Sequence, residues 1–128
     1  MGRSGRVLLI AGGGGVGAFI RYLVDEALQS ASFPWSTFTV NIVGCALLAV
    51  VTSPTRTKSQ RQILGTGFAG GLTTFSTFAV EVASMTNEGR STIAIIYLLA
   101  SLAAGLAAFT FVRRQIEPGP PAPRWPSK

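Results

Sequence analysis

The charged residues of this 128-residue chain fall in clusters, and the uncharged stretches between the clusters are long enough to cross a lipid bilayer. Charged residues make up 12% of the chain, whereas ordinary soluble domains have about 25%. A helix needs about 20 mostly apolar residues to span the hydrocarbon. The pattern predicts an all-α membrane protein with four transmembrane helices, near residues 7–27, 35–51, 63–84 and 92–112.

The four helices are expected to form one domain over residues 1–116, followed by a proline-rich tail over residues 117–128. Proline lacks the N–H that helices and sheets require, so the tail is predicted to be disordered. The first apolar run leads into Arg21 and Tyr22 instead of a small-residue cleavage site. We therefore expect it to remain as the first helix and not to be removed as a signal peptide.

The basic residues are distributed unevenly between the two predicted sides of the membrane. With short loops and alternating helices, one side receives both termini and the second loop, and it holds nine of the eleven Lys and Arg residues. They are Arg3, Arg6, Arg56, Lys58, Arg61, Arg113, Arg114, Arg124 and Lys128. Such a bias predicts a multi-pass protein of the plasma (inner) membrane with both termini in the cytoplasm. It also explains the net charge of +6 without nucleic-acid binding.

Several classes of function lack their residues. The chain has no His, and its single cysteine, Cys45, lies in the second span, which argues against a zinc or iron centre and against an enzyme. Gly12, Gly14 and Gly17 match the G-x-G-x-x-G pattern of dinucleotide sites. The acidic residue expected about 20 positions later is missing. Glycines that let two membrane helices approach closely are the better interpretation.

The third uncharged stretch contains Gly-Gly and Thr-Thr pairs within residues 67–78. Unpaired backbone groups are costly in hydrocarbon, so this composition predicts a helix break that lines a cavity, pore or ion site. Phe75 and Phe78 are three residues apart and therefore share a helix face. They could belong either to the core or to a functional site. Asn41 is a polar amide inside the second span. It could either hold neighbouring helices together by hydrogen bonds or take part in function.

Charged residues near the ends of the spans leave further alternatives open. Arg21 is costly in lipid and is expected to pair with Asp25 or Glu26, or to face water. Glu81 is placed at the end of the third span and receives no functional role.

Three segments of the chain carry a specific resemblance. They are GGGVGA at residues 13–18 followed by Arg21 and Tyr22, TVNIVG at residues 39–44, and GFAGGLTTFSTF at residues 67–78 followed by Glu81. In sequence, order and spacing they resemble the signature segments of the Fluc (CrcB) family of fluoride channels. The resemblance covers about the first two-thirds of the chain, and the fourth span matches mainly through Tyr97 and Ser101.

The resemblance implies a passive, fluoride-specific channel that exports F⁻ and protects the cell from its toxicity. It implies an antiparallel, dual-topology dimer in which the third helix is broken mid-membrane. A structural, non-transported Na⁺ would be held by the backbone carbonyls of Gly70 and Thr73. Arg21 would lie at a vestibule. The fluoride pathway would contain Asn41, Phe75, Ser76, Thr77, Phe78, Tyr97 and Ser101.

Two alternatives remain. A small proton-coupled multidrug exporter can also be built from four short helices in an antiparallel dimer, but it requires a carboxylate in the membrane, and none lies in the centre of a predicted span. The chain could instead be a non-conducting partner subunit of a heterodimeric channel. The uneven distribution of Lys and Arg departs from the family pattern. Single-gene members that insert in both orientations need similar numbers of basic residues on the two sides of the membrane. The excess on one side of this chain favours a single orientation, and therefore a second, related subunit with the opposite excess.

Overall fold

The computed structural model describes residues 2–28 and 32–117. These residues form helices and no strands. In chain order the elements are α1 (Arg3–Ala27), α2 (Trp35–Val51), α3 (Lys58–Gln60), a π-helical segment (Arg61–Ala69), α4 (Gly70–Leu72), α5 (Phe75–Asn87) and α6 (Ser91–Ile116). We call Lys58–Asn87 the third span. The predicted disordered tail lies outside the described residues, apart from Glu117.

The helix positions agree with the sequence, but three of the four are longer than predicted. α2 occupies residues 35–51 as expected, whereas α1, the third span and α6 extend beyond the apolar runs. Thr57 explains one extension, because its hydroxyl accepts the Gln60 N–H while its own N–H donates to the Gln60 side chain. This capping box begins the helix before the apolar run.

Within residues 2–28 and 32–117, three helical stretches are long and apolar enough to cross a membrane: α1 with 25 residues, the third span with 30 and α6 with 26. α2 is shorter, at 17 residues. At 1.5 Å per residue it is about 25 Å long, near the lower limit for a spanning helix.

The helices pack in an interleaved order. α1 lies against the first half of the third span, while α6 packs against α2 and α5. Contacts between α1 and the third span move toward the C-terminal end of both helices together, from Ile10 with Gly67 to Gly17 with Leu72. These two helices therefore run in the same direction, as alternating spans require.

The two ends of the bundle differ in charge. At one end, Arg113 Nη1 donates to Thr52 Oγ1 at 3.1 Å, which brings the end of α6 next to the basic loop after α2. The opposite end has a cavity of about 750 Å³ lined by Asp25, Glu26, Glu81 and Glu88, with Arg90 beside them. Four of the five acidic residues of the chain thus line one cavity.

Candidate functional site

The helix of the third span ends at Leu72 and begins again at Phe75. Thr73 (φ −78°, ψ 157°) and Thr74 (φ −146°, ψ 122°) between them have extended backbone. The N–H and hydroxyl of Thr73 both donate to the Ala69 carbonyl, at 3.0 and 2.9 Å. The Thr74 hydroxyl accepts the N–H of Thr77 at 3.1 Å, as an N-cap does. One threonine ends the first helix and the next caps the second.

Asn41 on α2 holds the extended segment from one side. The Thr74 N–H donates to Asn41 Oδ1 at 2.9 Å, and Asn41 Nδ2 donates to the Thr74 carbonyl at 3.1 Å. In a continuous helix the Thr74 N–H would instead bond to the carbonyl of Gly70. The amide of Asn41 therefore replaces a helical hydrogen bond and leaves the Gly70 carbonyl without that donor.

Arg21 on α1 holds the segment from the other side. Its Nη1 donates to the Thr73 carbonyl at 2.9 Å. That carbonyl has lost its helical donor, since the Thr77 N–H bonds to the Thr74 hydroxyl. The two ion pairs found within residues 2–28 and 32–117 involve other arginines, Arg90 with Glu88 and Arg113 with Glu117. A cationic side chain bound to a freed backbone carbonyl is a common solution for a charge inside a membrane protein.

Glycines allow the neighbouring helices to reach the interruption. A Cβ added at Gly44 of α2 would lie 2.0 Å from Thr73 Cγ2, and one added at Gly17 of α1 would lie 2.3 Å from the Phe68 carbonyl oxygen. Both glycines are buried. Any larger residue would push α1 or α2 away from the third span.

Phe75 and Phe78, predicted to share a face, have ring centroids 6.0 Å apart. Their environments differ. Phe75 is 79% exposed, whereas Phe78 is 8% exposed and lies with its ring centroid 5.0 Å from that of Tyr97. Phe78 therefore belongs to the core of the helix bundle as well as to the predicted site, and Phe75 projects from the surface of the bundle.

Both rings line a second cavity of about 430 Å³ on the face formed by α2, α5 and α6. Most of its lining is apolar, including Cys45, Leu102, Gly105, Leu106 and Phe109. The polar contributions come from Asn41, Thr74 and Ser101. The buried hydroxyl of Ser101 has no hydrogen-bond partner among the residues that the structure describes. The cavity therefore combines aromatic rings with a few polar groups.

The predicted hydroxyl residues at the start of α5 lie close to this cavity. The Thr74 hydroxyl donates to Thr77 Oγ1 at 2.9 Å and lies 3.4 Å from Ser76 Oγ. Ser76 is exposed and Thr77 is half-buried. The three hydroxyl groups form one connected cluster at the N-terminus of α5.

Tyr97 and Glu81 form a separate polar centre, which the sequence analysis did not predict. The Tyr97 hydroxyl donates to Glu81 Oε2 at 2.7 Å, and the Thr37 hydroxyl donates to Oε1 at 2.8 Å. Tyr97 and Thr37 are buried. Glu81 lies within α5 and not at the end of the span, because the helix continues to Asn87. The sequence contained one signal for this centre: the carboxylate of Glu81 ends the third uncharged run, and a carboxylate within a membrane helix is expected to have a polar partner.

The carbonyls proposed from the resemblance to hold Na⁺ have different partners in the structure. The Gly70 carbonyl has lost its helical donor to Asn41, whereas the Thr73 carbonyl accepts Arg21. A carbonyl oxygen has two lone pairs, so one hydrogen bond does not saturate Thr73. Among the described residues no group of three or more His, Cys, Asp or Glu side chains could hold a metal. Backbone oxygens are hard ligands and suit a small hard cation such as Na⁺.

A family model and several individual proteins that resemble this chain all point to the same family. The family described as "CrcB-like protein, Camphor Resistance (CrcB)" matches residues 8–112. A protein of Rhodococcus jostii named "Fluoride-specific ion channel FluC 2" is 47% identical over 103 residues, which cover 80% of this chain and 90% of that protein.

Streptomyces avermitilis has two similar proteins. Its "Fluoride-specific ion channel FluC 1" is 40% identical over 79% of this chain and 87% of its own length. Its "Fluoride-specific ion channel FluC 2" is 43% identical over 79% of this chain and 68% of its own length.

Proposed function

The chain belongs to the CrcB family of fluoride-specific ion channels, and from this membership we propose how its own residues conduct the ion. The protein is a channel and not an enzyme, and F⁻ leaves the cell passively through it. The observation that supports the pathway best is the 430 Å³ cavity, in which two phenylalanine rings face a few uncharged polar groups.

The rings of Phe75 and Phe78 supply the central part of the proposed pathway. An aromatic ring is positive at its edge and can replace part of the hydration shell of a small anion. A fixed cation at the same place would hold F⁻ too firmly, because conduction requires binding weak enough for release. Asn41 Nδ2 has a second N–H, and Ser101 has an unpartnered hydroxyl, so each can donate to F⁻ in the same cavity.

The remaining residues of the proposed pathway contact groups that line this cavity. Ser76 and Thr77 are connected to the cavity through Thr74. Tyr97 enters the proposal mainly through its ring, which packs on Phe78, because its hydroxyl already donates to Glu81. Together these groups would supply donors and ring edges from α2, α5 and α6.

One subunit leaves the pathway open on one side. Phe75 is 79% exposed although it is a large ring that lines the cavity. Leu102 and Leu106 on the cavity wall are also largely exposed. A second subunit in the opposite orientation would cover this face, and each dimer would then contain two pathways. The interruption at Thr73 and Thr74 would lie at mid-membrane near the dimer axis.

The same arrangement accounts for a structural Na⁺. Two subunits would each contribute the carbonyls of Gly70 and Thr73, which have lost their helical donors. The ion would stabilise the dimer by neutralising four carbonyl dipoles and would not itself be transported.

The charge distribution favours a heterodimer over a homodimer. The sequence assigns nine basic residues to one side of the membrane, and four acidic residues line the cavity at the opposite end of the bundle, so most copies should insert with both termini in the cytoplasm. An antiparallel partner would then be a related chain of opposite bias. Accessibility of tags at either terminus in intact cells tests this proposal. An even mixture of orientations would support the homodimer.

Fluoride efflux from liposomes that contain the purified chain is the direct test of function. We expect F⁻ efflux driven by a K⁺ gradient with valinomycin and no comparable Cl⁻ efflux. A proton-coupled exporter would instead move cationic drugs when a pH gradient is applied. A chain that is silent alone but conducts with a related subunit is a heterodimer component. The absence of F⁻ efflux in both preparations would contradict the proposed function.

A further inference from the structure

The side chain of Arg21 reaches the same carbonyl that is proposed to hold sodium. We propose that Arg21 and Na⁺ compete for the Thr73 carbonyl, so that Arg21 sets how tightly this channel binds sodium. The inference rests on the proposed function, since it assumes the sodium site, and it assigns Arg21 to that site instead of to a vestibule that attracts anions.

The position of Arg21 follows from the glycine packing of α1. Gly13, Gly17 and Arg21 are spaced four residues apart and therefore lie on one helix face. A Cβ at Gly13 would lie 3.0 Å from the Ile63 carbonyl oxygen, and one at Gly17 would lie 2.3 Å from that of Phe68. The third residue of this stripe is thereby brought to the end of α4, where Nη1 donates to the Thr73 carbonyl at 2.9 Å.

Arg21 supplies positive charge where the backbone is most negative. The carbonyls at the C-terminal end of a helix carry the negative end of its dipole, and a nearby cation stabilises them. A sodium ion at the same oxygen would provide the same stabilisation. Two cations bound to one oxygen lie close together and repel each other, and this repulsion is weakly screened away from water.

The two proposed sodium ligands are therefore not equivalent. The Thr74 N–H, the helical donor for Gly70, is diverted to Asn41, which is uncharged. The Thr73 carbonyl accepts a guanidinium. The energetic penalty for sodium comes from Thr73, and it should decrease when the charge of Arg21 is removed.

The test measures sodium affinity through protein stability. A ligand that binds the folded state raises the melting temperature as its concentration exceeds the dissociation constant. The purified full-length channel is titrated with Na⁺ against N-methylglucamine at constant ionic strength. We expect Arg21→Gln to lower the half-saturating Na⁺ concentration by about tenfold or more, because one nearby charge is removed. Arg21→Lys keeps the charge and should stay within about threefold of wild type.

The half-saturating concentration separates this role from a merely structural one. If Arg21 only supports the fold, Arg21→Gln melts at a lower temperature at every Na⁺ concentration and the half-saturating value does not move. That result would overturn the proposal, and so would weaker sodium binding by Arg21→Gln. If Arg21→Gln does not fold, Arg21→Lys carries the test, and a shift beyond about threefold contradicts competition between charges.

The readout also distinguishes this proposal from the proposed function. Wild-type liposomes without F⁻ efflux, alone or with a related subunit, would contradict the channel function. A wild-type protein that conducts F⁻ while its melting temperature ignores Na⁺ would overturn the inference about Arg21 and leave the channel function intact.

Discussion

Asn41 joins α2 to the interrupted third span through two hydrogen bonds with the backbone of a single residue, Thr74, at 2.9 and 3.1 Å. Its amide thus supplies the extended segment with a hydrogen-bond acceptor and a donor, which adjacent turns supply in a continuous helix. The same amide lines the cavity with Phe75 and Phe78. The sequence left two alternatives for Asn41, holding helices together or donating to the ion. The two roles are compatible in this geometry, because Nδ2 has two N–H groups and only one of them is needed for the Thr74 carbonyl.

We expect Asn41→Asp to reduce fluoride flux at least tenfold and to lower stability. The substitution removes the Nδ2 donor to the Thr74 carbonyl, and the loss of one intramolecular hydrogen bond costs about 0.5–1.5 kcal/mol. An ionised carboxylate in the cavity would also repel F⁻. Liposome efflux and thermal unfolding measure the two effects. Asn87→Asp, at the end of α5, is the control. Wild-type flux in a destabilised Asn41→Asp protein would show that Asn41 only holds the helices together.

Phe75→Ile and Phe78→Ile should both reduce flux while affecting stability differently. Each variant keeps the apolar bulk but loses the positive ring edge that would replace part of the hydration shell of F⁻, so we expect flux to fall by about tenfold or more. Phe78 is buried against Tyr97, so Phe78→Ile should also lower the melting temperature. Phe75 projects from the subunit surface, so Phe75→Ile should leave the fold of the subunit unchanged. Normal flux in both variants would rule out the role proposed for the rings.

Gly17→Ala should destabilise the protein by about 1–3 kcal/mol, the usual cost of overpacking. The added methyl would lie 2.3 Å from the Phe68 carbonyl oxygen and 2.7 Å from the Leu72 backbone nitrogen. Gly12→Ala and Gly15→Ala are matched controls in the same helix, because a Cβ at either position meets nothing within 4 Å. They should be neutral or slightly stabilising, since alanine favours helices. Equal effects at Gly12 and Gly17 in thermal unfolding would contradict the close packing.

Tyr97→Phe should lower stability by about 1–3 kcal/mol, because Glu81 Oε2 would lose the hydroxyl that bonds to it at 2.7 Å. The ring contacts with Phe33 and Phe78 would remain. Tyr22→Phe is the control, since Tyr22 is 60% exposed and is the only other tyrosine. Thermal unfolding of both variants would decide, and equal melting temperatures would mean that the Tyr97–Glu81 bond adds nothing to stability.

Replacement of Na⁺ by N-methylglucamine on both sides of the membrane should slow or stop fluoride flux. Without a cation, the proposed four carbonyls would face one another with like partial charges. Ion replacement is the suitable perturbation because no side-chain substitution removes a carbonyl. Flux measured with and without Na⁺ inside and outside the liposomes gives the answer, and flux that is indifferent to Na⁺ would argue against the site.

The sequence predicted the number, order and approximate positions of the helices, because uncharged stretches and turn residues determine where a chain can enter and leave a membrane. It also predicted that Phe75 and Phe78 share a face. It did not predict that Glu81 bonds to Thr37 and Tyr97, since those partners are 44 and 16 residues away and depend on how α2 and α6 pack. The π-helical segment over Arg61–Ala69 had no recognisable signal either.

The interleaved packing also constrains how the protein can be assembled during synthesis. The main partner of α1 begins at residue 58, and α2 packs mainly against α6, which begins at Ser91. When the first two helices have left the ribosome, neither has its principal partner. The glycine face of α1 must therefore wait in the bilayer until the chain has been translated through Leu72, and α2 must wait longer, until α6 has been made. The first two helices form no self-sufficient hairpin, so the bundle is expected to be completed late in translation, when α6 inserts against α2 and α5.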